Sequence, residues 1–454
     1  MSKFSKLLNN LKIVFNNKHY LVIFLLGFAS GLPLLLTMGT LQAWYAQANV
    51  DIVTIGFLGL VSLPYTFKFL WAPILDRFKA PLCGKALGLR RGWIFLSQIF
   101  LVIFLIAMAF SDPILSPGLL ALFAVCVAFM SATQDIAFDA YRTETLAIKE
   151  RGLGSVIYVY GYRVALIISG SVALIISYHF GWMISYLFMA SVMSMCLFIT
   201  YYADEPESHI KYSNSDKLNR KNKKQSDFNS VVIEPFRDFI KRDKSILLLL
   251  LLVSYKLGEA FSVSLQTPFF IQALGFTTEE IGYISKTCTT IATLVGISIG
   301  GGIINSLGLY RALFLFGVLQ AVTNLLYIWM LYVGHNLWVM GITVFFDQFA
   351  GGLGTAAFMV LIMILCNQKY TATQFALLSA LASVGRVYVS PISGYIVTLY
   401  GWYNLFVFSF IISLPCLFLL FLTKKNILLA NQDQEYISKE EQSLNINESI
   451  AIED

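Results

Sequence analysis

The sequence predicts an all-α polytopic membrane protein of twelve transmembrane helices, and three observations carry that prediction. Of its 454 residues, 57% are hydrophobic and only 13% charged, with a mean hydropathy of +0.71, whereas soluble domains carry roughly 25% charged residues. Apolar runs of the ~20 residues that a helix needs to cross a bilayer core recur along the whole chain. Runs such as 246–253 are uniformly apolar, which excludes the alternating strands of a β-barrel. The same composition excludes a soluble enzyme, a disordered chain and a secreted disulfide scaffold. The six cysteines stand singly, without CxxC spacing, and fit packing roles better than disulfides or metal ligands.

The predicted spans are 20–46, 54–76, 92–111, 117–147, 153–178 and 182–202, followed by 245–273, 279–305, 308–333, 337–366, 371–399 and 401–422. The first follows Lys3, Lys6, Lys12 and Lys18. It is too long for the 7–15-residue core of a signal peptide, so Ala46-Gln47-Ala48 is not expected to be a cleavage site. Arg77, Lys79, Lys85, Arg90 and Arg91 fill the loop between spans two and three, and Lys149 and Arg151 the loop between four and five. The alternate loops, near 47–53, 112–116, 179–181, 274–278, 334–336 and 400, hold no Lys or Arg. The positive-inside rule therefore places both termini in the cytoplasm. It also accounts for the net charge of +6 without a nucleic-acid partner.

The polar stretch 203–244 separates six spans (1–202) from six more (245–422), and a polar tail, 423–454, is expected to be disordered. Within the linker, Lys211–Ser230 is Lys/Asn/Ser-rich and reads as flexible. Val231, Val232, Phe236, Phe239 and Ile240 then recur at helical spacing. That is an amphipathic helix, either lying along the membrane surface or solvated as a linker. The halves echo one another: Ile55-Gly56 with Ile281-Gly282, Gln134-Asp135 with Asp347-Gln348, Arg163 with Arg386, and Gly181-Trp182 with Gly401-Trp402. Four matches in one order, at offsets of roughly 210–230 residues, argue for duplicated six-helix halves. Six plus six around a cytoplasmic linker is the major facilitator fold.

Ionisable residues inside spans cost at least about 2.5 kcal/mol each unless paired or wet. This chain places nine there: Lys68, Asp135, Asp139, Arg163, Lys256, Glu259, Lys286, Asp347 and Arg386. They must face one another or a water-filled route. Asp135 and Asp139 are i,i+4 on span four and share a helical face, and Lys256 and Glu259 are i,i+3 on span seven. For each group, proton coupling or solute contact competes with a fixed ion pair that holds helices together. Asp135, Asp139 and Glu259 are the proton-coupling candidates. Asp76 and Arg77 at the exit of span two, with Arg142, are candidates for a cytoplasmic gate. Gln42, Tyr65, Gln134, Tyr162 and Tyr388 add amides and aromatic faces to Lys68, Arg163, Lys256, Lys286, Asp347 and Arg386. That lining suits a sugar-like, amide-bearing, carboxylate-bearing solute; the alternative is that the aromatics pack or form interfacial belts. Enzyme chemistry has no motif here: the four histidines fall in loops or at span ends, and Gly351-Gly352-Leu353-Gly354 lies inside an apolar span, where small residues serve helix packing. No metal site is expected.

Several stretches resemble the AmpG-type muropeptide permeases of bacterial inner membranes. They are GFASGLPLLLTMGTLQAW (27–44), FKFLWAPILDR (67–77), RRGW (90–93), SATQDIAFDAYRTETL (131–146), ERGLGS with GYR (150–163), YKLGEAFSVSL (255–265) and ATQFALLSALASVGRVYVSP (372–391). The likeness covers nearly the whole span region in order; the two further C-terminal spans of some family members have no counterpart. It implies a proton-driven importer of N-acetylglucosaminyl-anhydro-N-acetylmuramic acid, with or without peptide, for cell-wall recycling. It also implies the proton gradient as sole energy source, with no cofactor, and a monomer functional in the inner membrane. Carried over residue by residue, it singles out Gln134, Asp135, Asp139, Lys256, Glu259, Arg163 and Arg386. Three alternatives stay open: an acetyl-CoA-type transporter, a diverged importer of another solute, and a non-transporting membrane sensor that binds without translocating.

Overall fold

The computed structural model describes residues 18–146, 150–206, 234–241, 243–367 and 371–453. All regular structure among the described residues is helical. The long apolar helices are α1 (Lys18–Gln47), α2 (Ile52–Leu70), α3 (Arg90–Ala109), α4 (Pro117–Thr145), α5 (Leu153–Phe180), α6 (Trp182–Tyr202), α7 (Ser245–Ala273), α8 (Thr278–Leu307), α9 (Leu309–Val333) and α10 (Leu337–Leu365). The run Thr371–Glu453 is two helices meeting at Gly401, whose φ is 81°. They are α11, up to that glycine, and α12, beyond it. Gly181, between α5 and α6, has the same left-handed φ of 84°, so the repeated Gly-Trp pairs mark the same reversal in the two halves. Only glycine adopts that conformation without strain. Among the described residues, twelve long apolar helices overlap the twelve predicted spans.

Side chains cap several of the ends. Asp51 accepts the backbone N–H of Thr54 at 2.8 Å and starts α2. Thr277 and Glu280 form a reciprocal capping box at the start of α8. Three features differ from the predicted spans. α2 ends at Leu70, and Ala72–Arg77 forms a separate turn with Pro73 in its first positions. α1 breaks at Thr37–Met38, one turn after Pro33, which cannot donate to the helix ladder. α12 continues through the expected disordered tail to Glu453, because no Gly or Pro follows Pro415 and Leu, Ala, Glu, Gln and Lys there favour helix.

The contacts divide the chain into two compact units. The first comprises residues 1–224, 264–290 and 390–399. Its tightest contact is α1 on α5: a Cβ on Gly27, Gly31 or Gly161 would collide with the backbone of Tyr158, Tyr162 or Phe24. Small residues allow such backbone approach where no hydrophobic effect drives helices together. The second unit comprises 225–263, 291–389 and 400–454, around a core that includes Leu251, Tyr255, Phe316, Phe358 and Leu361. The linker helix, Glu234–Ile240, belongs to this unit. Phe239, 2% exposed, is part of the core, while Arg237 and Ile240 on the same helix are exposed. Asp238 accepts from Gln374 Nε2 at 3.0 Å and Asn367 Nδ2 at 3.4 Å. The Lys211–Ser230 stretch, Val231, Val232, Lys3, Lys6, Lys12 and Lys149 lie outside the described residues.

Candidate functional site

The sequence-predicted residues fall into separate groups. In the first unit, α4 turns Gln134 and Asp135 towards α1. Gln134 is fully buried and donates to the Ala29 carbonyl at 3.0 Å; Asp135 accepts from Ser30 Oγ at 2.5 Å. Tyr65, Tyr158 and Tyr162 interact electrostatically with that carboxylate, and so does the Lys68 ammonium. One turn on, Asp139 receives Arg142 at 3.2 Å and faces Lys68 at 3.9 Å. The Arg142 guanidinium lies over the Tyr158 ring, 4.7 Å from its centroid. Carboxylates, cations and phenol faces therefore alternate along one surface of α4. Such a surface can hold a proton on Asp135 and stack or hydrogen-bond a sugar. Gln42 lies apart, its amide donating to the Ser264 carbonyl at 3.0 Å.

At the ends of α2 to α4, Arg90 is the hub of a second group. It is 6% exposed. Its Nη1 donates to Asp76 at 2.7 Å, while Nη2 and Nε both reach Glu144 Oε1, at 2.8 and 3.1 Å. Glu205 accepts the backbone N–H groups of Arg90 and Arg91. The expected latch residue Asp76 thus meets Arg90; Arg77 is exposed and forms no ion pair among the described residues. Arg90 reads as a loop charge in the sequence because it stands at the very start of α3. Only the fold shows that three acidic side chains converge on it.

The second unit carries its own network. Lys256, 4% exposed, donates to Glu259 Oε2 at 2.5 Å, Thr355 Oγ1 at 3.0 Å and the Gly351 carbonyl at 3.3 Å. Gln320 donates to the same Glu259 oxygen at 2.9 Å. The glycine run on α10 makes the room: a Cβ at Gly351 would stand 3.2 Å from Glu259 Oε1, and one at Gly354 would collide with the Gln320 amide. Asp347, 3% exposed, accepts from Tyr327 at 2.9 Å and Gln348 at 3.2 Å, both neutral donors. The sequence reading missed Ser30, Arg90, Glu144, Gln320, Tyr327 and Thr355. Polar residues inside apolar spans were the available signal.

Arg163 and Arg386, the repeat-related pair, have no carboxylate partner among the described residues. Arg163 is half-buried with its Nε unbonded, and Arg386 is exposed, its Nη2 3.4 Å from Ser383 Oγ. Tyr388 is 48% exposed. Lys286 stands away from all the ion pairs, donating to Thr267 Oγ1 at 3.2 Å.

Residues 20–389 match the model of the Major Facilitator Superfamily. The Escherichia coli (strain K12) anhydromuropeptide permease is 42% identical over 94% of this chain and 84% of its own. The Rickettsia felis putative transporter AmpG 4 is 32% identical over 91% and 98%. Among solved structures, a mutant of the nucleoside transporter NupG superposes with a TM-score of 0.67 at 12% identity, covering 88% of this chain and 98% of that one. The D-xylose-proton symporter does so with 0.62 at 13%, covering 88% and 96%; both likenesses speak for the fold alone. A polytopic helical chain with charged networks inside its spans, alike over nearly its whole length to these permeases, belongs to the Major Facilitator Superfamily and, within it, to the AmpG-type permeases.

Proposed function

We propose that this chain imports anhydromuropeptides, N-acetylglucosaminyl-anhydro-N-acetylmuramic acid with or without its peptide, by proton-coupled alternating access for cell-wall recycling. The observation that carries the reading is the setting of Asp135. It is a carboxylate inside a span, held by a neutral hydroxyl and coupled electrostatically to three tyrosines and to Lys68. A proton on Asp135 removes the cost of a charge in low dielectric, so protonation and the local arrangement of α1 and α4 are linked. The phenol faces offer stacking to sugar rings, and the cations offer partners to carboxylates. The chain works as a monomer in the bacterial inner membrane with both termini cytoplasmic, and the bilayer is its only standing partner.

The test is uptake of radiolabelled disaccharide anhydromuropeptide into vesicles with an imposed inward proton gradient, beside de-energised and protonophore-treated controls. Concentrative uptake that collapses with the protonophore is the expected result. No uptake under any gradient by correctly folded protein overturns the proposal.

A further inference from the structure

Four long helices lose regular winding around one point of the first unit. α1 restarts at Gly39 after its break, and α5 opens into a π turn over Ile168–Val172. α7 restarts as Gln266–Pro268 after the irregular Leu265. α8 carries a π turn over Ile281–Lys286. Lys286 touches all of them. Its Nζ donates to Thr267 on α7 at 3.2 Å. A Cβ built on Gly39 would stand 3.1 Å from that nitrogen, and one on Gly170 would stand 3.7 Å from the Lys286 Cγ.

No carboxylate pairs with Lys286 among the described residues. Three other in-span or span-end cations are answered, Lys256 by Glu259, Arg90 by Asp76 and Glu144 and Lys68 by Asp139, whereas Arg163, like Lys286, has no carboxylate partner among the described residues and keeps its Nε unbonded. Two hydroxyls flank the same α5–α8 contact, where Gly282 packs on the Ser171 backbone. Ser171 and Ser285 are both buried there with Oγ unbonded among the described residues. Buried polar groups nearly always find partners. A cation in a span costs about 2.5–3.5 kcal/mol without one. Spare donors with no anionic acceptor, on helices unwound within the membrane, are the construction that transporters use to hold an anionic ligand.

We infer that Lys286, seated among these four interrupted helices, binds a carboxylate of the transported solute. The inference rests on the proposed function for the identity of that solute, whose disaccharide form carries a single lactyl carboxylate. The experiment measures binding of the disaccharide acid and of its carboxamide to the purified full chain in nanodiscs, for wild type and Lys286→Gln. The wild type should prefer the acid at least about tenfold, or roughly 1.4 kcal/mol. Lys286→Gln should lose that preference while binding the carboxamide as the wild type does, which also shows that it is folded. Equal binding of acid and amide by the wild type, or an unchanged preference in the variant, overturns the inference and leaves the muropeptide reading standing. Binding of neither ligand by folded wild type overturns both. Should Lys286→Gln fail to fold, Gly39→Ala replaces it. Its methyl group crowds Nζ, so it should weaken acid binding and spare the amide; equal effects on both overturn the inference.

Discussion

Breaking the Lys256–Glu259 pair should be costlier from one side than from the other. The Lys256 side chain is 5% exposed and that of Glu259 is 27% exposed. Glu259→Gln leaves a deeply buried ammonium with only Thr355 Oγ1 and the Gly351 carbonyl as its remaining partners. Stranding one member of a buried pair costs about 3–5 kcal/mol, and the two neutral acceptors put this case near 3. Lys256→Met leaves the carboxylate, which keeps the Gln320 amide and is less deeply buried than Lys256, so about 1–2 kcal/mol is expected. Removing both charges in Lys256→Met/Glu259→Gln should restore stability to within about 1 kcal/mol of wild type, since apolar replacement of a whole buried pair is often neutral. The double-mutant cycle, followed by chemical unfolding in mixed micelles, should therefore show a coupling of about 3 kcal/mol. Losses that add to within about 0.5 kcal/mol would refute the pairing. Proton-driven uptake by the stable double variant then separates a structural tie from a coupling group: retained accumulation removes Glu259 from the proton path.

Further outcomes are open to direct measurement. Asp135→Asn should abolish concentrative uptake while sparing exchange; surviving concentration would move the proton to another carboxylate. Arg90→Lys should cost about 2 kcal/mol in unfolding experiments, because an ammonium cannot serve Asp76 and Glu144 at once in the guanidinium's fork geometry. Asp51→Ala should destabilise the start of α2 by about 1 kcal/mol. Burial raises the Asp51 carboxyl, but the Thr54 hydroxyl and backbone N–H outweigh it and hold the group below its ordinary value. Its contribution is therefore full above the unfolded-state value of about 3.9 and is lost as pH falls through the lower folded one. A wild-type minus Asp51→Ala difference that does not shrink below about pH 4 would contradict this. Phe239→Ala should cost about 3 kcal/mol and loosen the linker helix, seen as faster amide exchange over residues 237–241.

The sequence by itself determined where the chain crosses the membrane. A span is a local property: about 20 consecutive apolar residues must appear whatever the rest of the chain does, and α6 occupies the 182–202 run residue for residue. The repeat was equally legible, because Gly181 and Gly401 each close a span with a backbone angle that only glycine takes easily. So was the presence of buried charge, since an Asp or Lys within such a run announces itself. Spacing along one helix also foretold the Lys256–Glu259 pair. Only the tertiary structure decided the other partners. Asp76 found Arg90, Gln320 and Tyr327 supplied donors to Glu259 and Asp347, and Lys286 was left with a threonine. The linker helix docks on the second unit through Phe239. Burial is written into each span by its own composition. Pairing depends on which faces of distant helices meet within about 3 Å, and the interruptions in α1, α5, α7 and α8 that turn those faces arise only where the helices pack.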